Sequence, residues 1–94
     1  MCGIAGFNWQ DKDLAEQMVR SLRHRGPDDS GYYLDNNISL GHSRLSIIDT
    51  SSKGHQPMHF ENLAIIYNGE VYNFRELKEQ LIAKGYQFKS HTDT

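Results

Sequence analysis

The only cysteine of the chain is Cys2, which follows the initiating methionine directly. Removal of Met1 would leave Cys2 with both a thiol and a free α-amino group. Because an α-amino group has a reference pKa of about 7.7–8.0, part of it is neutral near pH 7 and can accept the thiol proton, directly or through one water. The sequence therefore offers a nucleophile and its base in one residue. The other interpretation of Cys2 is a small residue in a frayed terminus, the ordinary state of a chain end.

A second candidate is Arg44, which stands among apolar residues in the run HSRLSII, residues 42–48. These neighbours would place a permanently charged, planar guanidinium at the edge of a core. The two parallel N–H groups of a guanidinium match the two oxygens of a carboxylate, so Arg44 is a candidate for binding a substrate carboxylate. A surface ion pair is an equally open interpretation.

A third candidate is the tripeptide Asn68-Gly69-Glu70. The Asn68 side-chain amide and the Gly69 backbone N–H could both donate to an oxyanion, whose stabilisation is usually the largest contribution to acyl transfer. An Asn-Gly pair by itself is more often an ordinary turn, so this alternative also stays open.

Short apolar or alternating runs bounded by turn residues predict five strands, over residues 3–9, 31–34, 38–45, 63–67 and 86–89. The first, predicted to be buried, would anchor Cys2 at its start. The second and third predict a hairpin around residues 35–37. The fourth, also predicted to be buried, ends at Asn68-Gly69, a pair suited to positive φ. Residues 49–60 contain turn formers and predict a loop.

Two helices are predicted between these strands. Asp13 and Glu16 can form a capping box for the first, which should end near Arg23. Asn73 and Glu76 form the same pattern for the second, and a glycine after Lys84 suits its C-terminus. Apolar residues recur at helical spacing in both, namely Leu14, Ala15, Met18, Val19 and Leu22 in the first and Phe74, Leu77 and Leu81 in the second.

Length and charge limit the classes of function. The chain has 94 residues and a net charge of -2, which argues against nucleic acid as a partner, since phosphates require a concentrated basic face. No run approaches the roughly 18 apolar residues of a membrane span, and no secretory signal opens the chain. A single cysteine cannot form an internal disulfide. We therefore expect one cytoplasmic domain over residues 1–94, without a membrane partner, and its ending after residues 86–89 without a further element reads as truncation.

The histidines and the charged segment 23–29 give weaker signals. His55 and His59 are four residues apart, but Pro57 between them prevents the helical turn that would bring both rings to one metal ion, so we expect no metal site. The segment RHRGPDD has a basic start and an acidic end. It lacks a glycine-rich turn between strand and helix, so a self-paired loop is favoured over phosphate binding.

Five stretches of the chain, taken in order, carry a family resemblance: MCGIAGF (1–7), RHRGPD (23–28), LGHSRLSIID (40–49), GHQPM (54–58) and YNGEVYNF (67–74). Together they resemble the class II glutamine amidotransferases, and within that class the glutamine-hydrolysing asparagine synthetases most closely. The resemblance extends over nearly the whole chain. It implies an α+β fold of the N-terminal-nucleophile hydrolase type, a sandwich of two antiparallel sheets between helices, of which residues 1–94 would form only the N-terminal part.

The resemblance also assigns roles to residues. The family's terminal cysteine, matched by Cys2, attacks the side-chain amide of L-glutamine, releases ammonia and leaves a glutamyl thioester. The family's oxyanion asparagine and glycine fall on Asn68 and Gly69. Its glutamine-binding residues fall on Arg44, Leu45, Ser46, Ile47, Ile48, Glu70 and Asp93, with Asp93 receiving the α-ammonium group. The segments 23–28 and 54–58 match family signatures, and we expect them to shape the pocket.

The partners implied by the resemblance lie mostly outside the chain. The rest of the glutaminase domain and an ATP-dependent synthetase domain would follow, and ATP and Mg²⁺ would bind there, since a Ser-Gly-Gly nucleotide loop is absent from residues 1–94. The synthetase domain would use the ammonia to convert aspartate to asparagine. Two alternatives stay open: a related amidotransferase with another ammonia acceptor, and a non-catalytic fragment acting as a binding piece. Association of copies into a homo-oligomer is also left open.

Overall fold

The computed structural model describes all residues, 1–94, and is an α+β arrangement of two antiparallel sheets and two helices. The elements in chain order are β1 (Gly3–Phe7), α1 (Lys12–Ser21), β2 (Asp29–Leu34), β3 (Ser39–Arg44), a 3-10 turn (Ser52–Gly54), β4 (Met58–Phe60), β5 (Leu63–Ile65) and α2 (Phe74–Ala83). The larger sheet has the order β1-β3-β2, and β4 pairs with β5 in the smaller one.

The predicted hairpin of β2 and β3 is confirmed. The backbone N–H of Asp35 donates to the carbonyl of Ile38 (3.0 Å), and the Asp35 side chain accepts from the N–H of Asn37 (2.7 Å). β1 joins the other edge of β3 with Gly3 opposite Ser43. Because β3 is central, its C-terminal residue Arg44 lies beside the start of β1, and this pairing brings Cys2 next to the segment that follows β3.

Helix α1 covers one face of the larger sheet. Ala15 and Val19 are each 2% exposed, and a Cβ at Gly41 would overlap the Val19 side chain, so the glycine permits close packing of helix on sheet. The predicted cap at Asp13 is wrong: the N-cap is Asp11, whose carboxylate accepts from the N–H of Leu14 (3.0 Å). The backbone N–H of Asp11 is held by the Ser39 hydroxyl (3.1 Å), a contact from β3 that local spacing does not reveal.

The predictions for residues 49–67 need correction. Residues 58–60 form strand β4 and are not loop, and the following strand ends at Ile65. That strand is not buried, because it pairs only with β4 and Leu63 is 64% exposed. Strand β1 is buried on one face only, with Ile4 48% exposed. Neither Asn68 nor Gly69 has positive φ, so the predicted conformation of that pair is wrong.

Helix α2 begins after Asn73 as predicted, although the Asn73 side chain makes no capping hydrogen bond. Its end is confirmed: Gly85 has φ +94°, and the N–H of Tyr86 donates to the carbonyl of Leu81 (3.1 Å), as in a glycine-terminated helix. None of its residues is buried. Residues 86–89 do not form the predicted strand.

The core is small for the length of the chain. Ala5, Ala15, Val19 and Pro57 are the only buried apolar side chains, and the accessible surface is 6715 Å², against about 5,500 Å² for a compact protein of this mass. Neither ten-residue helix has the length or apolar character needed to span a membrane. The fold therefore consists of one packed sheet and helix, with the remaining chain arranged along its edge.

Candidate active site

A cavity of about 350 Å³ lies where the segments before β1, after β3 and after β5 meet the last residues of the chain. Most of the residues predicted for the site line this cavity: Cys2, Arg44, Leu45, Ile47, Ile48, Asn68, Gly69, Glu70 and Asp93. They come from four separate stretches of the sequence. The fold thus brings together a thiol, a guanidinium, an amide and two carboxylates that are up to 91 positions apart along the chain.

The thiol of Cys2 is held at the wall of the cavity. Its sulfur accepts a hydrogen bond from the backbone N–H of Leu45 at 3.3 Å, and it lies 3.6 Å from the Leu45 carbonyl. The carbonyl of Cys2 accepts from Nε of Arg25 at 3.0 Å. Met1 also lines the cavity, so its removal would expose the α-amino group of Cys2 in the same space. Cys2 is therefore fixed at a strand end and is not frayed.

Arg44 is a buried cation without an anionic partner. It is 5% exposed, yet neither of the two ion pairs of the chain includes it. Its guanidinium donates instead to the carbonyls of Ser51 (2.6 Å) and Asp49. A Cβ at Gly54 would overlap the guanidinium, so a glycine is required there. Since an unpaired buried charge is costly, a guanidinium oriented by two carbonyls and facing a cavity points to an anionic ligand.

Tyr67 connects Asn68 to the strands through two buried side chains. The backbone N–H of Tyr67 donates to Oε1 of Gln56 (2.6 Å), and its carbonyl accepts from Nε2 of His42 (3.3 Å). Burial lowers the pKa of His42, outweighing the bond to the Tyr67 carbonyl, which favours the protonated form. The peptide that precedes Asn68 is therefore fixed on both sides, which sets the direction in which Asn68 and Gly69 face the cavity.

The other charged subsite is Asp93. One of its carboxylate oxygens accepts from the backbone N–H of Val71 at 2.8 Å, and no cationic side chain lies within ion-pairing distance. The cavity therefore holds an unpaired carboxylate as well as an unpaired guanidinium. A ligand with one charge of each sign would satisfy both.

Ser46 does not line this cavity. Its backbone N–H donates to the Asp28 carboxylate (2.8 Å), and it lines a second, more open cavity with His55 and Asp28, which Arg44 also lines. The interpretation of residues 23–29 as a self-paired loop is wrong, because Arg25 contacts Cys2 and Asp28 contacts Ser46. This segment supports Cys2 and the segment after β3.

The remaining histidines have other partners. Nδ1 of His55 lies 2.5 Å from the Asp29 carboxylate, and His59 packs edge-on against Tyr33 with ring centroids 5.4 Å apart. No three His, Cys, Asp or Glu side chains of residues 1–94 come together in a way that could hold a metal ion.

Sequence reasoning gave no individual role to the residues that support the site, although it expected the segments of Arg25 and Gln56 to shape the pocket. Arg25, His42, Asp49 and Gln56 all hold backbone groups of the segments lining the cavity. Three of them are polar residues that are less than 10% exposed, namely His42, Asp49 and Gln56. Polar residues inside recognisable motifs can indicate such supporting residues, but the sequence does not tell which backbone group each one binds.

The site combines a positioned thiol, two oxyanion-donor candidates, the unpaired guanidinium of Arg44 and the unpaired carboxylates of Asp93 and of the more exposed Glu70. These features define a cysteine-centred pocket suited to a small zwitterion. The glutamine amidotransferase domain family matches the chain over residues 1–94, and the chain belongs to this family. Among its relatives, asparagine synthetase [glutamine-hydrolyzing] 1 of Bacillus subtilis is 44% identical over 104 residues, which cover the whole chain and 16% of that protein. A putative asparagine synthetase [glutamine-hydrolyzing] 2 of Methanocaldococcus jannaschii is 37% identical over 118 residues. The match includes the whole chain and 22% of that protein.

A relative with a different name matches equally far along the chain. Amidase chry2 of Gibberella zeae is 38% identical over 112 residues, covering 99% of the chain and 16% of that protein. The chain thus spans between about a sixth and a fifth of the length of these relatives.

Proposed function

We propose that this chain is the glutaminase portion of a glutamine-hydrolysing asparagine synthetase, in which Cys2 hydrolyses L-glutamine to glutamate and ammonia. Residues 1–94 would be the N-terminal part of a larger domain with the two-sheet sandwich of the N-terminal-nucleophile hydrolases. The observation that carries the proposal is the convergence of the Cys2 thiol, the unpaired Arg44 guanidinium and the unpaired Asp93 carboxylate on one cavity.

The first half of the reaction is an attack by sulfur. After removal of Met1, the α-amino group of Cys2 takes the thiol proton, directly or through one water, and the thiolate attacks the side-chain amide carbon of glutamine. The N–H of Leu45, 3.3 Å from the sulfur, stabilises the developing thiolate. Asn68 and Gly69 donate to the tetrahedral oxyanion. The α-ammonium group of Cys2 then gives the proton to the leaving nitrogen of the amide. Ammonia departs, and a glutamyl thioester remains on Cys2.

The second half is hydrolysis of the thioester. The α-amino group of Cys2, again neutral, takes a proton from water, whose oxygen attacks the thioester carbonyl through a second oxyanion at Asn68 and Gly69. Collapse of this intermediate breaks the carbon–sulfur bond, and the sulfur recovers its proton. The balance is one glutamine and one water consumed for one glutamate and one ammonia.

Substrate recognition follows from the unpaired charges of Arg44 and Asp93. Arg44 receives the α-carboxylate of glutamine, and Asp93 receives its α-ammonium group. The space between them is lined by Leu45, Ile47, Ile48 and Glu70. Ser46 supports this segment through its bond to Asp28. A glutamine residue within a protein lacks both charges, and burying Arg44 and Asp93 unpaired would cost several kcal/mol. The pocket therefore selects the free amino acid.

Use of the ammonia belongs to the part of the protein beyond residue 94. A synthetase domain that binds ATP and Mg²⁺ would activate aspartate for conversion to asparagine. No step of the glutaminase reaction in residues 1–94 uses either. The relationship to amidase chry2 supports a second candidate, a related amidotransferase that delivers ammonia to another acceptor through the same glutaminase chemistry.

Mass spectrometry of the intact protein tests the nucleophile. We expect a diazoketone analogue of glutamine to add once, to a Met-free amino-terminal Cys2, and excess glutamine to slow the reaction. The same analogue built on an uncharged, N-acylated ester of glutamine serves as the control and should not react. A retained Met1, or a Cys2 that remains unmodified, would contradict the proposal and favour a non-catalytic fragment.

A further inference from the structure

Asp49 is a buried carboxylate that joins two distant segments at the rim of the cavity. It is 7% exposed. One oxygen accepts from the N–H and the hydroxyl of Ser51 (2.8 and 2.5 Å). The other accepts from the backbone N–H of His91 at 3.1 Å, across 42 positions of the sequence. Hydrogen bonds donated by Ser51 and then by His91 hold the pKa of the Asp49 carboxyl well below its usual range, so it is ionised at any physiological pH.

The two segments that Asp49 joins carry Arg44 and Asp93, the unpaired cation and one unpaired carboxylate of the pocket. On one side, the carbonyls of Asp49 and Ser51 orient the Arg44 guanidinium. On the other side, His91 lies two residues before Asp93. The bond from His91 to Asp49 ties the segment of Asp93 directly to the carbonyls that hold Arg44. The separation between cation and anion therefore depends on this carboxylate.

We propose that Asp49 is a positioning residue that sets the spacing between Arg44 and Asp93, and with it the selectivity of the site for an α-amino acid over a simple carboxylate. The inference rests on the proposed function of the pocket. Asp49 contacts neither the thiol nor any oxyanion donor, so its contribution falls on substrate recognition and not on the chemical step.

A carboxylate is suited to this role because both of its oxygens accept hydrogen bonds and all three of its partners donate. An asparagine at this position could accept from only one side, and its NH₂ group would face an N–H donor. Replacement of Asp49 by Asn therefore releases either residues 91–93 or Ser51 while nearly preserving the volume of the side chain.

The test compares two substrates in the intact protein: L-glutamine, and glutaric acid monoamide, which is glutamine without its α-amino group. Both present a carboxylate to Arg44 and an amide to Cys2, and only glutamine uses Asp93. Ammonia release gives kcat/KM for each. We expect Asp49→Asn to lower the ratio of kcat/KM for glutamine to kcat/KM for glutaric acid monoamide by about tenfold or more. The ratio should approach that of Asp93→Asn. The change should come mainly from a higher KM for glutamine.

Asp35→Asn is the matched control, since Asp35 also accepts from a backbone N–H and a hydroxyl but lies in the β2–β3 turn, outside the cavity. Its ratio should equal that of the unmodified protein. If Asp49→Asn is insoluble, Asp49→Glu replaces it, with a fall in the same direction because one added methylene displaces both oxygens.

Each remaining outcome decides against a different claim. Equal loss of activity toward both substrates, with the ratio unchanged, would mean that Asp49 only stabilises the fold, and would overturn the inference alone. An unmodified protein that hydrolyses both substrates equally well, or hydrolyses neither, would overturn the proposed pocket and the inference with it.

Discussion

Residues 3–44 and residues 45–94 are held in place by different interactions. In the first region a helix packs on a three-stranded sheet, and Ala5, Ala15 and Val19 are buried. In the second region Pro57 is the only apolar side chain that is buried. Its segments are held by buried or partly buried polar side chains bonded to backbone groups, as Gln56 is to Tyr67 and Asp49 is to His91. The first region is a scaffold, and the second consists of loops, the β4–β5 pair and helix α2 arranged along its edge.

The cavity lies at the boundary between the two regions, and its parts follow this division. Cys2 and Arg44 flank or end strands of the scaffold, whereas Asn68 and Asp93 belong to the fastened loops. The proposed nucleophile and carboxylate-binding group thus stand beside or at the end of strands, and the loops contribute the proposed oxyanion donor and the second charge. Precision of a site is greatest on strands and helices, so changes in the two regions should have different consequences.

The largest effect is expected for Cys2, which carries the proposed chemistry next to the start of the scaffold. Cys2→Ala should reduce ammonia release from glutamine by about a thousandfold or more, because no other group of the chain can form the thioester. Ammonia-dependent synthesis in the intact protein should persist, and thermal unfolding should be unchanged. Parallel assays with glutamine and with ammonium salts measure both; equal loss of the two activities would contradict the division of labour.

The next effect concerns the buried cation between the two regions. Arg44→Ala should weaken glutamine binding by about 2–5 kcal/mol, since the substrate carboxylate would be buried without its partner. The change should appear in KM more than in kcat. Arg44→Lys keeps the charge but not the planar pair of donors, and should recover part of the loss. Unchanged saturation with glutamine would remove Arg44 from the pocket.

A pair of core and surface substitutions sharpens the comparison. Val19→Ala, which removes two methyl groups under the sheet, should destabilise the scaffold by about 2 kcal/mol. Leu81→Ala on α2 removes more atoms, yet should cost within about 0.5–1 kcal/mol, because Leu81 is 37% exposed. Hydrogen exchange of the β3 amides gives both values. A larger cost for Leu81 would show that α2 is covered in the intact protein.

The smallest effect is a pH dependence of the contact between the regions. Burial lowers the pKa of His42 below its ordinary value of 6.5, so the unfolded chain binds the proton more readily than the folded one. Stability from this group is complete above about pH 6.5 and is lost as the pH falls toward the lowered value. Exchange protection of the β3 amides between pH 7 and 5 should therefore fall more steeply than in His42→Gln, which keeps a donor for Tyr67.

Local patterns predicted most elements of the scaffold and the end of α2 well, because these features are specified over a few residues each. The β2–β3 hairpin, the existence of α1 and the glycine end of α2 follow from turn residues and helical spacing. The predictions were wrong where a residue distant in the sequence decides the local structure. Asp11 replaces Asp13 as the cap and is held by Ser39, and residues 63–65 are exposed because only β4 pairs with them.

The candidate residues of the site were named from motifs. The motifs did not show how these residues are arranged in space. Ser46 belongs to the same motif as Arg44, yet it lines only the second cavity, whereas Arg44 lines both. Asp49 and Gln56, which stood in the motifs without an assigned role, prove to hold the loops. A side chain in a motif is therefore a candidate, and its backbone partner decides what it does.

Residue types and their spacing were sufficient to specify a terminal thiol, a strand to carry it, and a guanidinium and an Asn-Gly pair of suitable chemistry. Their meeting in one cavity was decided by the folded chain alone. The reason is physical: the contacts that assemble the cavity join Leu45 to Cys2 across 43 positions, His91 to Asp49 across 42 and Val71 to Asp93 across 22. Hydrogen bonds over such separations leave no periodic trace in the sequence, whereas a helix or a hairpin does.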